Sequence, residues 1–401
     1  MRFIAFFASA TGFLTLVSAQ RPPRPSPDWP FDVTEIKAPD GSISASFVSI
    51  GATLTQLWVK DRDGKARDVV LGYDDPSLLW SDPAHPVFGA MVGRTVMELG
   101  AYGTIIGTFS IPISKNPTPG APGTYHIPTN DKGGAVALHG GLIGWDRRNF
   151  TLVAKSPTSV TYKHVDNGDE GFPGTVTAYV THTVSRGGSL ETRVRATATE
   201  KTPLMMTQHT YWNLDAFQNG VNDTLDHVLQ IDSSKVIELN ENAIPTGEFI
   251  DVTGTVFDFR KPQAHGARWD DVQGLCGGEC TGYDHCWVYD SRDRRAANRP
   301  RTSLWSPHSG IRMDIYTNQD ALQIYSAYWM NTVRKKAHGG PELSYGRWSG
   351  IALETQGHVA AINTPEWGVD HIYGKVAELG VVDGPNRPYE WKTTYKFSTV
   401  Q

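Results

Sequence analysis

The sequence predicts an all-β protein built as a large antiparallel β-sandwich, and three observations carry that prediction. Short tracts alternate polar and apolar residues with the period of two that a half-buried strand needs. Clusters of Gly, Pro, Asn and Asp separate many of these tracts, and 40 glycines, 25 prolines and 10% aromatic residues suit many strands joined by turns. Helical periodicity is almost absent. At 401 residues, 39% hydrophobic and 20% charged, the chain can bury a large core. Its net charge of −5 argues against nucleic acid or an anionic membrane as a main partner, since both call for a basic face.

In chain order, Arg2, the largely apolar run Phe3 to Val17 and the small residues Val17-Ser18-Ala19 before Gln20 read as a secretory signal peptide over residues 1–19. Residues 20–30 form a proline-rich leader containing Arg21-Pro22-Pro23-Arg24-Pro25-Ser26-Pro27, which cannot pair in a sheet. A single β domain is expected over residues 31–401, with no internal repeat or long linker to split it. Ser42 to Ile50 begins as an alternating strand and slips phase at Phe47-Val48, as a bulge would. Asp75-Pro76 can start a helical turn, with Asp75 as N-cap. Lys132 to Leu138 holds a weaker one. Strand-like tracts recur at Thr175–Val184, Leu190–Ala198, Val228–Ile231, Ile311–Thr317 and Leu322–Ser326. Pro112–Pro128 and Ser291–Ser306 read as loops, the second a solvated excursion rich in arginine.

The processing signals agree with one another. Asn149-Phe150-Thr151 and Asn222-Asp223-Thr224 are N-glycosylation sequons suited to an exported chain. Cys276, Cys280 and Cys286 allow one disulfide and one free thiol in an oxidising compartment. A zinc site from these and His285 fits no standard finger spacing, and no metal or cofactor is expected. The mature protein is expected to be secreted and extracellular, with no membrane contact after signal cleavage.

Chemistry concentrates in three tracts. Thr207-Gln208-His209-Thr210-Tyr211-Trp212-Asn213 packs amide, imidazole and flat aromatic faces together, a set that suits a sugar ring. His139 stands before Gly140-Gly141, where the backbone can approach a ligand closely. Glu354 interrupts Gly350-Ile351-Ala352-Leu353-Glu354-Thr355, which reads as a buried strand. A carboxylate there must be paired, hydrogen-bonded or functional, and burial would make it a stronger base. Structural roles for all three remain open at this level. The chain lacks G-x-S-x-G, H-E-x-x-H, P-loop and G-x-G-x-x-G signatures, which disfavours serine hydrolases, zinc proteases and nucleotide enzymes. Asp284 supplies a second carboxylate, so glycoside cleavage stays open.

Taken as an ordered series, these tracts resemble the aldose 1-epimerase (galactose mutarotase) family. The series is Phe88-Gly89-Ala90-Met91-Val92-Gly93-Arg94, Leu138-His139-Gly140-Gly141-Leu142-Ile143-Gly144-Trp145-Asp146, Asp169-Glu170-Gly171-Phe172-Pro173-Gly174 and Thr207–Leu214. It continues with Ile244-Pro245-Thr246-Gly247-Glu248, Phe257–Pro262, Gly282-Tyr283-Asp284-His285, Leu322-Gln323-Ile324-Tyr325 and Ser349–Gln356. The resemblance implies a galactose mutarotase-like supersandwich with a small-molecule sugar on its concave face. It implies Glu354 as general base at the C1 hydroxyl, His209 as general acid at the ring oxygen, and His139 as a substrate hydrogen-bond partner. Asp284, Gln323 and Arg94 match substrate-binding positions. One departure stands out: the family pattern has an Asn-Arg pair where this chain reads Met97-Glu98, so a cationic donor has become an anion. Three readings follow: an aldose 1-epimerase acting on a free hexose, an isomerase or tailoring enzyme for another cyclic hemiacetal, and a catalytically silent carbohydrate-binding protein.

Overall fold

The computed structural model describes residues 26–95, 108–110, 124–290, 299–374 and 388–401. The signal peptide, most of the leader, Met97-Glu98 and much of the two expected loops lie outside the described residues. Strands account for 42% of the structure and helices for 7%, so the all-β prediction holds. All strand pairings among the described residues run antiparallel.

Three sheets build the body. A nine-stranded sheet includes Thr302–Trp305, Ile311–Thr317, Tyr389–Thr399, Ser189–Ala198, Val176–Ser185 and Ser159–Asp166 as successive neighbours. A six-stranded sheet runs Tyr211–Trp212, Ile351–Gln356, Ala321–Tyr325, Asp284–Val288, Lys235–Leu239 and Pro245–Asp251. A four-stranded sheet spans Val33–Lys37 to Ala66–Asp68. One core unites them: Phe47 and Leu57 from the smallest sheet, Val180, Val194 and Trp391 from the largest, and Trp287, Ile324 and Leu353 from the six-stranded sheet. Burial of such side chains is the main stabilising contribution, about 1.5–3 kcal/mol each.

Sequence patterning explains which faces are covered. Val176–Ser185 buries every second residue, so one face meets the core and the other meets water. Ile351–Gln356 is buried at all six positions, because Ile351, Leu353 and Thr355 face the sandwich while Ala352, Glu354 and Gln356 face overlying loops. That second face is where polar groups enter the interior.

The phase slip at Phe47-Val48 is a register shift between Ser46 and Phe47, with the extra residue, Thr55, on the partner strand Thr53–Lys60. The helical turn Leu78–Ser81 starts two residues later than expected, with Ser77 rather than Asp75 at its N-cap; Asp75 accepts a hydrogen bond from the Ser77 N–H at 2.9 Å. Two loop expectations need correction. Thr124–His126 is a strand, paired with Thr108–Ser110. Thr302–Trp305 is an inner strand of the nine-stranded sheet, and Arg301 before it is buried against the Tyr289 ring at 4.6 Å. The adjoining arginines masked this short strand. Cys276 and Cys280 form a disulfide, while Cys286 is a buried free thiol. No helix among the described residues is long and apolar enough to cross a membrane.

Histidines fill this interior in their neutral form. Burial pushes His182, His265 and His285 down to about 3, and His164 and His338 down to about 4. The unfolded chain takes up protons near pH 6.5 and the folded chain does not, so their contribution is intact above 6.5 and is lost as pH falls. Urea unfolding should therefore show a lower midpoint at pH 5.0 than at pH 7.5. A midpoint that is unchanged or higher at pH 5.0 contradicts this account.

Candidate active site

The outward face of the six-stranded sheet carries a row of polar residues set by strand register. Glu354 pairs with Gln323, and Gln323 with Cys286; two residues further along, Ala352 faces Tyr325 and Tyr325 faces Asp284. Residues two apart share a face, so Glu354, Gln323 and Asp284 look the same way. Gln323 Nε2 donates to Asp284 Oδ1 at 2.8 Å, fixing the carboxylate. Tyr211 adds an aromatic wall from the neighbouring edge strand, opposite Ala352.

His209 is delivered by the break between two short strands, Thr207–Gln208 and Tyr211–Trp212. Its backbone N–H donates to the Ala90 carbonyl at 2.9 Å, and its carbonyl accepts from the Gly89 N–H at 2.8 Å. Gly89 is required there: a Cβ on it would sit 2.0 Å from the Leu54 carbonyl oxygen. Held this way, His209 Nε2 lies 3.5 Å from Glu354 Oε1, with both side chains buried. Glu354 Oε2 has no hydrogen-bond partner. His139 packs edge-on against His209 with ring centroids 5.2 Å apart, and the Tyr211 ring lies 4.9 Å from His209 on another side.

The loop carrying His139 is braced from several directions. Gly140 lies so close to the Gly93 carbonyl that a Cβ would meet it at 2.1 Å. Glu170 accepts from the Leu142 and Ile143 N–H groups, both at 3.0 Å. Asn130 accepts from the Leu138 N–H at 2.6 Å and donates to the Gly141 carbonyl at 2.6 Å. The short motifs around the functional residues thus act as scaffold.

Desolvation sets the electrostatics. Burial drives Glu354 well above the usual carboxyl range, reinforced by the charge of Asp284. Burial also lifts Asp284 to about 6, opposed by the Lys132 charge and the Gln323 hydrogen bond. It lowers His209 to about 4 and His139 to about 3, in the latter case together with the charge of His209. Desolvation thus favours the uncharged form of both His209 and Glu354, an adjacent base and acid between which a proton can pass in either direction.

His209, Glu354, His139, Asp284 and Gln323 are brought to one region, but Arg94 is not free to join them. Its guanidinium donates to Asp166 at 2.8 and 2.9 Å, to the Pro173 and Gly174 carbonyls at 2.7 Å and to Thr202 at 3.1 Å. Every N–H direction is taken, and its side chain is fully buried. Arg94 is a scaffold residue, which corrects its expected place among the substrate-binding groups. Asn149 and Asn222 are both exposed; the Asn222 side chain accepts from Arg334 at 3.0 Å and donates to the Gly220 carbonyl at 3.1 Å. Sequence reasoning missed His85, whose Nε2 lies 2.5 Å from Asp146 Oδ2 and whose charge acts on both His139 and His209. Ala84-His85-Pro86 carries no periodicity or motif that marks it.

Fold and site together define a β-sandwich acid–base enzyme. A family model described as aldose 1-epimerase matches residues 32–375, and the chain belongs to that family of isomerases. It is 34% identical over 379 residues to a probable aldose 1-epimerase of Arthroderma benhamiae, covering 85% of this chain and 82% of that one. It is 31% identical over 359 residues to the galactose mutarotase of Mus musculus, covering 89% and 92%. Among solved structures, an aldose epimerase homologue from C. elegans superposes with a TM-score of 0.75 at 26% identity, covering 92% and 99%.

Proposed function

We propose that this chain is a secreted aldose 1-epimerase that interconverts the α and β anomers of a free hexose. The 3.5 Å approach of His209 Nε2 to Glu354 Oε1 carries the proposal. In the reactive tautomer Glu354 is the carboxylate and His209 the imidazolium. Glu354 takes the proton of the C1 hydroxyl, the C1–ring oxygen bond breaks, and His209 gives its proton to the ring oxygen. The open aldehyde rotates about C1–C2, and closure with both transfers reversed yields the other anomer. Proton count and charge are the same before and after, so neither group needs solvent to recharge it. His139, edge-on to His209, supports charge near the ring oxygen, while Asp284 and Gln323 accept and donate to sugar hydroxyls.

Polarimetry on freshly dissolved α-D-glucose and α-D-galactose tests this reading. Enzyme-dependent acceleration of the approach to equilibrium is expected with at least one of them. Sugar binding without acceleration would instead make the protein a lectin, and neither would turn attention to another hemiacetal. Secretion rests on the signal-like start at residues 1–19 and the exposed sequon residues Asn149 and Asn222. Expression in a glycosylating host should place a chain beginning at Gln20 in the medium; retention of Met1 in the recovered protein counts against export.

A further inference from the structure

We propose that Gln356 is a further catalytic residue, whose side-chain amide donates a hydrogen bond to the C1 oxygen of the sugar as Glu354 takes its proton. The inference rests on the anomer-interconversion reading and adds a third group at the reacting carbon.

Strand register places Gln356 on the face that carries the site. It follows Glu354 by two residues on Ile351–Gln356, so both side chains leave the same side of the sheet. At the rise of an extended strand their Cα atoms are roughly 7 Å apart. Asp284 stands level with Tyr325 and Ala352, Cys286 with Gln323 and Glu354, and Val288 with Ala321 and Gln356. Asp284 and Gln356 therefore lie on opposite sides of the Glu354 row. A sugar whose far hydroxyls meet Asp284 presents C1 to Glu354, and the next outward side chain beyond C1 on that strand is Gln356.

The amide is buried and unengaged. Gln356 is 0% exposed, yet neither Nε2 nor Oε1 has a hydrogen-bond partner among the described residues. Glu354 Oε2, on the same face of the same strand, has none either. Buried amides almost always find partners, because an unpaired donor or acceptor keeps its full desolvation penalty. The cross-strand neighbour supplies none: Ala321 belongs to an apolar cluster with Cys286, Val288 and Val359. A hydroxyl held between the free oxygen of Glu354 and the amide of Gln356 satisfies both, since it donates to one and accepts from the other.

That placement suits the chemical step. When Glu354 removes the C1 hydroxyl proton, negative charge gathers on the C1 oxygen until the C1–ring oxygen bond breaks and the aldehyde forms. An amide N–H fixed beside that oxygen stabilises the charge, and in reclosure it polarises the carbonyl for attack by the ring hydroxyl. No proton leaves Gln356 in either direction, so the exchange between His209 and Glu354 stays balanced.

Steady-state kinetics and urea unfolding of Gln356→Met test the proposal, with freshly dissolved α-D-glucose and α-D-galactose as substrates. Methionine keeps the shape and removes both polar atoms. Because the bond strengthens as charge develops, kcat should fall roughly 10–100-fold with KM within about twofold. The factor should be the same on each hexose the wild type turns over, since the two differ only at C4. The unfolding midpoint should hold or rise, because an apolar group has replaced an unpaired buried amide. A structural amide would lower it. An unchanged kcat beside an active wild type overturns this inference and leaves the His209–Glu354 reading standing; so does a lowered midpoint or a variant that fails to fold. A wild type inactive on both sugars overturns that reading and this inference with it.

Discussion

Replacing Glu354 with glutamine is expected to lower kcat by roughly 10²–10⁴-fold, the usual contribution of a positioned acid–base group. Glutamine has nearly the same shape and still hydrogen-bonds, so KM should change little; what disappears is the ability to hold the C1 proton. Stability should move the other way. A carboxyl raised above its unfolded value contributes stability that is complete below that value and lost as pH rises through the folded one. At pH 8 the buried carboxyl is therefore a burden, and Glu354→Gln should unfold at an equal or higher urea concentration than the wild type. Lost activity with retained or increased stability marks a residue kept for chemistry. Equal losses of both would make Glu354 structural.

Arg94→Met should give the converse. Removing the guanidinium leaves Asp166 buried without its cation, retaining only the Trp145 indole at 2.7 Å and the Gly168 N–H at 2.7 Å. Breaking one side of a buried ion pair costs about 3–5 kcal/mol. It also strands the carbonyls of Pro173 and Gly174, which bring the Glu170 segment against the His139 loop. Arg94→Lys should recover only part of the loss, because an ammonium cannot reproduce a planar fork of five donors. Chemical denaturation measures the stability effect. If either variant folds as stably as the wild type and shows only a raised KM, Arg94 binds substrate after all.

The two residues show how far the sequence could be read. Glu354 was legible because a carboxylate inside Ile351–Leu353 and Thr355 has few physical explanations, and desolvation at that site produces the strengthened basicity expected of it. Val176–Ser185, Ser189–Ala198, Val228–Ile231 and Ile311–Thr317, four strands of the nine-stranded sheet, were legible because one face is wetter than the other, which prints the alternation seen in Val176–Ser185. Thr302–Trp305 was not, being four residues long beside a charged run. Arg94 misled because a conspicuous arginine in a motif looks the same whether its partner is a sugar or Asp166. The partner, 72 residues away in sequence, appears only when the strands are assembled. His85 was hidden for the same reason: its partner, Asp146, lies 61 residues away in sequence.

Magnetisation transfer at equilibrium tests the central claim most directly. In a solution of galactose or glucose already at anomeric equilibrium, the two H1 resonances report the α and β forms, and exchange between them requires ring opening and reclosure. The account predicts transfer between these signals that grows with wild-type enzyme concentration and falls to the uncatalysed rate with Glu354→Gln or His209→Asn. Resonances that stay unexchanged in the presence of wild-type protein, while ligand-binding signals show either sugar in the site, would contradict it.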